Sequence, residues 1–245
     1  MKKVFFLLYG IVSYLAFFGT ILYAIGFVGN IFVPKSIDSS PVTSLAEAVL
    51  VNASLLLLFA LQHSIMARPA FKKRWVKIIP EPVERSTFVL LASLCLMLMM
   101  WQWQPMGAVV WSVENETVRT VLLVLSLTGW AIVFISTFLI NHFDLFGLRQ
   151  TWLYFRGIPY TNLPFRIPLL YKFVRHPLYL GFIIAFWSAS TMTIAHLLFA
   201  VLTTGYILIA IQLEEKDLVS LFGEKYLKYR KWVPMILPFS KKKTT

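Results

Sequence analysis

The chain has 245 residues, of which 58% are hydrophobic and 14% are charged. A soluble domain cannot bury so large an apolar fraction, so the composition excludes an ordinary water-soluble protein and predicts an integral membrane protein. Lys and Arg outnumber Asp and Glu by 23 to 11, an excess that in a membrane protein is first a topology signal. The single cysteine, Cys95, lies in an apolar run, which excludes a disulfide framework and a cysteine-based metal cluster.

The apolar runs predict an all-α membrane bundle of about six helices. A helix needs about 20 apolar residues to cross the hydrocarbon core of a bilayer. The first run, Val4 to Val28, is too long for the hydrophobic region of a signal peptide, so we interpret it as a retained span. Four further charge-free runs follow at Ala48 to Ala67, Ser86 to Val113, Thr120 to Phe143 and Pro177 to Leu213. The last has 37 residues, which favours a tight hairpin of two shorter helices that turns near Thr193 to His196.

The distribution of basic residues predicts that both termini are cytoplasmic. In that topology the cytoplasmic segments hold 21 of the 23 basic residues, and only Lys35 and Arg119 fall outside them. The eight basic residues from Lys216 onward belong to this set. Because topology accounts for the charge, no nucleic-acid partner is expected. The predicted location is a bacterial inner membrane, with the lipid bilayer as the surrounding partner.

We expect one transmembrane domain over residues 1–245. Its catalytic elements would lie in two cytoplasmic loops, 67–85 and 142–176, and in the C-terminal segment 175–238. The loops are rich in proline, which predicts irregular connections without extra helices. Leu218, Leu221 and Phe222 have helical spacing and predict a cytoplasmic amphipathic helix that emerges from the last span.

Most of the ionisable residues near the spans share one depth, at the predicted cytoplasmic ends. They are His63, His142, Asp144, His176, Glu214 and Glu215. Polar groups near the membrane are costly and usually face a cavity, although helix ends are wet and an interfacial role is also open. Only His196 falls on the opposite side, at the tip of the hairpin, where we expect a solvated turn residue.

Two local patterns at that depth indicate a ligand site. Arg175-His176-Pro177-Leu178-Tyr179-Leu180-Gly181 places a proline in the first turn of a helix, where free N–H groups favour a carboxylate. A basic interfacial anchor remains an equal alternative for this pattern. Glu214 and Glu215 end a span, where the helix dipole disfavours negative charge and a cationic ligand would relieve it.

These patterns also resemble a known superfamily. Arg-His-Pro-x-Tyr-x-Gly, followed by Glu-Glu-x-x-Leu and Phe-Gly-x-x-Tyr-x-x-Tyr, is similar to the isoprenylcysteine carboxyl methyltransferase superfamily. The segments Gln62 to Arg68, Glu84 to Ser86, Trp101 to Trp103 and Asn141 to Gln150 resemble its NnrU-like branch, and most closely the methanethiol S-methyltransferases of that branch.

The resemblance implies S-adenosylmethionine as the methyl donor, held at the cytoplasmic face. The residues that match the superfamily's cofactor contacts are Tyr171, His176, Tyr179 and Glu214. The predicted cofactor-binding set also includes Arg175, Pro177, Leu178, Glu215 and Tyr226. In the prenyl-protein enzymes an arginine about one turn before the glutamate recognises a substrate carboxylate, whereas Ile209-Ala210-Ile211 stands here. The implied acceptor is therefore a small apolar thiol, such as methanethiol, which would become dimethyl sulfide.

A thiol must ionise before its sulfur attacks a methyl group, so a nearby base is expected. The candidates for the base or thiol orienter are His142 and His63. Asp144 is the carboxylate expected to fix a tautomer, and Arg149 is the expected stabiliser of the thiolate. No metal site is predicted.

Two alternatives remain open at this point. NnrU-like proteins also resemble a haem-binding membrane carotene isomerase, or proteins linked to nitrogen-oxide metabolism, in which His63 and His142 would be axial ligands. Haem would leave Glu214 and the Tyr226 and Tyr229 pair without a role. A transporter is the other alternative, although ionisable groups are missing from the midplane of every predicted span.

Overall fold

The computed structural model describes residues 1–238, so Lys241 to Lys243 of the predicted basic C-terminal set lie outside the described residues. The chain folds almost wholly into helices. They are α1 (Lys2–Gly29), α2 (Leu45–Ala67), α3 (Pro69–Trp75), α4 (Glu81–Gln102), α5 (Glu116–Ile140), α6 (His142–Leu145), α7 (Leu148–Arg156), α8 (Pro177–Trp187), α9 (Ile194–Phe222) and α10 (Glu224–Trp232). Two short strands, β1 (Val109–Ser112) and β2 (Thr191–Thr193), pair in a two-stranded sheet.

The predicted membrane bundle is confirmed. Within residues 1–238, five helices are long and apolar enough to cross a bilayer: α1, α2, α4, α5 and α9. α8 is the shorter apolar helix of the predicted hairpin. The two arms of that hairpin are unequal, because α8 has 11 residues and α9 has 29.

Leu218, Leu221 and Phe222 are helical as expected, and they form the last turns of α9, which continues past Glu215 to Phe222 without a break. A separate helix, α10, follows and buries Tyr226 and Tyr229. The expectation that the two proline-rich loops lack helices is wrong, because Pro69 starts α3 at a position where a proline needs no N–H partner.

By its internal contacts the chain divides into two compact units. Unit 1 comprises Met1–Val110, His142–Asn162 and Thr193–Leu198, and unit 2 comprises Trp111–Asn141, Leu163–Met192 and the residues from Phe199 onward. Each unit has its own buried core.

In unit 1, α4 lies between α1 and α2, and α7 packs on α1 and α4. Met66, Phe88 and Val89 form a buried cluster, against which Trp75 and Phe146 pack. Gly147 has φ of +88° between α6 and α7, and a side chain there would collide with Ser86. This turn therefore brings the HFDLFGLRQ segment against the start of α4.

In unit 2, α5 and α8 pack closely along small residues. A Cβ atom on Gly129 would lie 2.6 Å from the carbonyl oxygen of Gly181 and from the amide nitrogen of Ala185. A second cluster joins Ile207 and Ile211 of α9 to Ile236. These contacts position the first turn of α8 and the middle of α9, where the candidate cofactor residues lie.

The expectation for His196 is wrong. Its side chain is buried, and its Nδ1 lies 3.3 Å from Oδ2 of Asp38. Asp38 also accepts hydrogen bonds from Thr193 and from Asn30, the latter at 2.7 Å. Burial by itself would raise the pKa of Asp38, but these hydrogen bonds and the charge of His196 together hold that pKa below its ordinary value. His196 therefore belongs to a buried polar contact with Asp38 and not to a solvated turn.

Candidate functional site

In unit 2 the predicted cofactor residues surround an ionic network of four side chains, which we define as Arg175, His176, Glu215 and Arg230. Glu215 Oε1 lies 2.6 Å from Nε of Arg175 and 3.1 Å from Nε2 of His176. Its Oε2 lies 3.4 Å from Nε of Arg230. The side chains of Arg175 and Glu215 are only 5% and 4% exposed. Buried charges in this arrangement are costly singly and stable when paired, so the network holds α9 at Glu215 against the start of α8.

The same residues hold the chain that follows α10. The backbone N–H groups of Arg175 and His176 donate to the carbonyl oxygens of Pro234 and Met235. The Arg175 guanidinium donates to the carbonyl of Val233 at 2.6 Å. The start of α8 and the C-terminal segment are therefore joined through main-chain and side-chain hydrogen bonds.

The two adjacent glutamates have different surroundings. Glu215 is enclosed by the ionic network, whereas the Glu214 side chain is 42% exposed. The hydroxyl of Tyr179 donates to Oε2 of Glu214 at 2.9 Å, and His176 Nδ1 lies 4.0 Å from the same oxygen. Glu214 is thus an oriented carboxylate that remains accessible to a cationic or hydroxyl-bearing ligand.

Three tyrosines and a serine extend this site. Tyr171 donates to the carbonyl of Ser136, and Tyr229 donates to the carbonyl of Tyr171 at 2.7 Å. The hydroxyls of Tyr226 and Ser136 are buried without a hydrogen-bond partner. Burial, followed by the charge of Glu214, raises the pKa of Tyr171, and burial, followed by the charge of Glu215, raises the pKa of Tyr226. Both phenols therefore stay protonated, so that Tyr171 donates to Ser136 and Tyr226 keeps a hydroxyl that is able to donate.

The first turn of α8 has the predicted form. Pro177 occupies the first helical position, His176 is the N-cap residue, and no side chain caps the helix. Leu178 follows in the same turn. The unpaired N–H groups of a first turn, together with the helix dipole, favour a carboxylate or another anion.

Unit 1 holds the predicted catalytic residues. His142 is buried, and its Nε2 is 2.8 Å from the hydroxyl of Tyr14. Its ring also packs edge-on against Phe143 and Phe146, with ring centroids 5.4 and 4.9 Å apart. Burial lowers the pKa of His142, which favours the neutral imidazole that a base requires.

Asp144 and Arg149 form an ion pair at 2.7 Å. The Arg149 guanidinium also donates to the carbonyl oxygen of Thr161 at 3.1 Å, and Gln150 donates to the carbonyl of Asp144 at the same distance. Tyr160 donates to the Asp144 carboxylate at 3.4 Å. This group links the α6 turn to the chain beyond α7, and the roles of Asp144 and Arg149 in catalysis stay predictions.

His63 lies at the end of α2, where its ring is 5.3 Å from that of Phe59 and 5.0 Å from that of Phe88. Its Nδ1 is one of several buried polar atoms of unit 1 that have no hydrogen-bond partner. We call this set the unsatisfied cluster, and it comprises His63 Nδ1, Gln62 Oε1, Trp75 Nε1, Glu84 Oε1 and Gln150 Oε1. Most buried polar atoms in native proteins have a partner, so such a set marks a place for water or a ligand.

The structure brings the predicted cofactor residues together in unit 2 and the predicted catalytic residues together in unit 1. Sequence reasoning missed Arg230, Ser136 and Tyr14. Arg230 belongs to a basic surface helix, and Ser136 and Tyr14 stand in apolar spans. None of them carries a sequence pattern that singles it out. Within residues 1–238, no group of three or more His, Cys, Asp and Glu side chains is arranged to hold a metal ion.

Comparison with known proteins gives consistent relatives. The family described as NnrU protein matches residues 49–212. The chain belongs to the NnrU protein family. It is 54% identical to the methanethiol S-methyltransferase of Crocosphaera subtropica over 244 residues, which covers 100% of this chain and 96% of the relative.

Two further relatives are also methanethiol S-methyltransferases. Methanethiol S-methyltransferase 1 of Bradyrhizobium diazoefficiens is 55% identical, over 95% of this chain and 81% of its own length. The methanethiol S-methyltransferase of Mycobacterium tuberculosis is 50% identical, with 100% of both chains covered. No solved structure gives a significant match to this member of the family.

Proposed function

We propose that this membrane protein transfers a methyl group from S-adenosylmethionine to a small apolar thiol, with methanethiol as the acceptor and dimethyl sulfide as the product. The choice of methanethiol as the acceptor is supported by relatives at 50–55% identity that are methanethiol S-methyltransferases. We place the reaction at the cytoplasmic face of a bacterial inner membrane, with both termini in the cytoplasm. The distribution of basic residues and the bacterial relatives support this location.

The observation that carries the donor half is the accessible Glu214 carboxylate beside the uncapped first turn of α8. S-Adenosylmethionine bears a carboxylate, an ammonium group, ribose hydroxyls and a sulfonium that supplies an electrophilic methyl group. The first turn at Pro177, Leu178 and Tyr179 suits the carboxylate. Glu214 suits the ammonium or the ribose hydroxyls, while the buried hydroxyl of Tyr226 awaits a polar partner.

Other donor-site residues act through the ionic network. Arg175 and Glu215 compensate each other, so we assign them to holding α8 against α9. His176 lies between both glutamates and orients Glu214, and Tyr171 joins α5 to this group through its hydroxyl. Their ion pairs and hydrogen bonds hold these side chains in one arrangement, which reduces the ordering cost of binding.

The acceptor half is assigned to unit 1, where His63 and His142 are the candidate base and thiol orienter. Each imidazole is embedded in aromatic side chains, which suits a small apolar thiol. The segment Ile209 to Ile211, where related enzymes of the superfamily carry a carboxylate-binding arginine, is apolar, and Ile211 packs in the cluster with Ile236. A carboxylate-bearing acceptor therefore has no matching group in this segment.

The test uses the purified protein in detergent with isotope-labelled S-adenosylmethionine and a panel of thiols. We expect labelled dimethyl sulfide in the headspace above reactions with methanethiol, and no labelled product with a thiol that carries a carboxylate. The expected spectrum of the purified protein has no Soret band. A Soret band without donor binding would contradict the methyltransferase assignment and support the haem alternative.

A further inference from the structure

We propose that Arg85, paired with His63, stabilises the thiolate form of the acceptor. This inference rests on the proposed function and adds a residue to its acceptor half. Arg85 and His63 both lie beside the ring of Phe88 in α4. The guanidinium carbon of Arg85 is 4.8 Å from the centroid of the Phe88 ring, and the His63 ring is 5.0 Å from it.

The charge of Arg85 acts on His63. Arg85 and Arg68 are both close enough to affect the imidazole electrostatically. Arg85 is held in place because its Nε donates to the carbonyl of Leu145 at 2.7 Å. The Arg149 guanidinium donates to Asp144 and Thr161.

The surroundings of His63 have an excess of positive charge. Lys72 of α3 experiences the charges of Arg85, Glu84, Arg68 and Asp144, so these groups share one neighbourhood at the end of α2. It holds three cations and two carboxylates, and the Asp144 carboxylate is paired with Arg149. A positive local potential favours an anion and lowers the pKa of a nearby thiol.

The unsatisfied cluster shows that this neighbourhood has unmet hydrogen-bonding capacity. His63 Nδ1, Gln62 Oε1 and Glu84 Oε1 are buried and have no partner. Gln62 contacts Met66, the His63 ring packs on Phe88, and Trp75 packs on the cluster of Met66 and Phe88, so these three residues border the same apolar side chains. A small thiol fits this combination, because its methyl group suits the apolar centre and its S–H can donate to an imidazole nitrogen.

In the proposed methyl transfer, His63 accepts the thiol proton and the thiol sulfur accepts the methyl group. The S–H bond breaks, its proton passes to Nδ1 of His63, and its electron pair stays on sulfur. That pair forms the new bond to the methyl group, while the electron pair of the donor's carbon–sulfur bond leaves with S-adenosylhomocysteine. Once the thiolate has been consumed, the imidazolium lies close to the positive charges of Arg85 and Arg68. Repulsion then drives its proton to solvent and restores the neutral imidazole.

The test compares ethanethiol with 2,2,2-trifluoroethanethiol, which have similar size but different acidity. Replacing Arg85 by glutamine should lower kcat/KM for ethanethiol by about 10- to 100-fold, the usual effect of one neighbouring charge on ionisation. The loss should be much smaller for the fluorinated thiol, because it ionises without help. Arg85→Lys should keep most of the activity. Lys73→Gln, which removes an exposed charge from α3, should leave kcat/KM unchanged for both thiols.

A second measurement needs no methyl donor. Thiolate absorbance in the ultraviolet reports ionisation of bound ethanethiol, and its midpoint should lie at a higher pH in Arg85→Gln than in the parental protein. Unchanged thermal stability of the variant would show that the Leu145 contact is not the cause.

Each other result contradicts a defined claim. Equal losses for both thiols, an unshifted thiolate midpoint, or selective loss in Arg149→Gln in place of Arg85→Gln would overturn the role of Arg85 and leave the proposed function standing. If the parental protein forms no thioether from methanethiol or from either test thiol, both proposals fall.

Discussion

The ionic network of unit 2 and the unsatisfied cluster of unit 1 differ in whether their buried polar groups have partners. Glu215 has Arg175, His176 and Arg230 as partners. The atoms of the unsatisfied cluster, among them His63 Nδ1, have none. A buried polar group without a partner costs about 1–3 kcal/mol, so five such atoms in one unit imply a compensating role. The comparison indicates that buried polar groups with partners stabilise the fold, and that buried polar groups without partners are available to bind water or substrate.

The largest effect should come from breaking the saturated network. Replacing Glu215 by alanine leaves the buried Arg175 unpaired, which should cost about 3–5 kcal/mol and should appear as a large fall in the thermal midpoint of the detergent-solubilised protein. Glu224→Ala is the matched control, because Glu224 pairs with Lys228 on the surface of α10 with 88% of its side chain exposed. Equal midpoints for the two variants would show that the network is not structural.

Asp38 offers a second saturated site, in unit 1. Asp38→Asn weakens the contacts with His196, Thr193 and Asn30, and should cost about 2–3 kcal/mol, the size of hydrogen bonds to a charged group. Because its pKa is lowered in the fold, Asp38 stabilises the protein above the unfolded value of about 3.9 and loses this effect as pH falls through the lower folded value. Methyl transfer by the surviving folded protein should be unchanged, and a selective loss of kcat would contradict a purely structural role.

Glu214 should behave differently from its neighbour. Glu214→Gln removes an accessible charge, so we expect donor affinity to fall about tenfold while thermal stability stays near that of the parental protein. Titration calorimetry with S-adenosylmethionine measures the affinity, and Glu224→Gln controls for loss of a carboxylate. Should donor affinity be unaffected, Glu214 does not contact the donor.

The smallest expected effect concerns His142. Burial lowers its pKa in the fold, so below about pH 6.5 the unfolded chain takes up the proton first and stability falls. The thermal midpoint of the parental protein should therefore drop more between about pH 7.5 and about pH 5.5 than that of His142→Gln. Parallel curves for the two proteins would mean that His142 is not held neutral by burial.

The sequence predicted the spans because apolar runs of sufficient length have few alternatives to a membrane helix. It also predicted that His176, Tyr179, Glu214 and Glu215 lie together, since both motifs fall at the same predicted depth, although α9 continues past Glu215 to Phe222. It could not predict which glutamate is buried, because that depends on Arg230, whose position follows from the turn at Gly223 between α9 and α10.

The failures have a common physical origin. Asp38 and His196 are 158 residues apart, and Tyr14 and His142 are 128 residues apart. Local sequence patterns therefore cannot predict either contact. The high proline content of loops 67–85 and 142–176 predicted irregular connections, although a proline at the first helical position, as Pro69 is in α3, starts a helix. Proline content alone therefore underestimated the helices of these two loops.

The shortness of α8 has a consequence for how the protein enters the bilayer. Eleven residues of helix extend about 16 Å, roughly half of a hydrocarbon core, which is too little for recognition as an independent span by the insertion machinery. The turn after α8 satisfies its backbone through Val113 and Trp111, which donate to the carbonyl oxygens of Ser190 and Ala189. Helices α8 and α9 must therefore integrate as one hairpin during biogenesis, and lengthening either arm alone would put the C-terminal segment at the wrong depth.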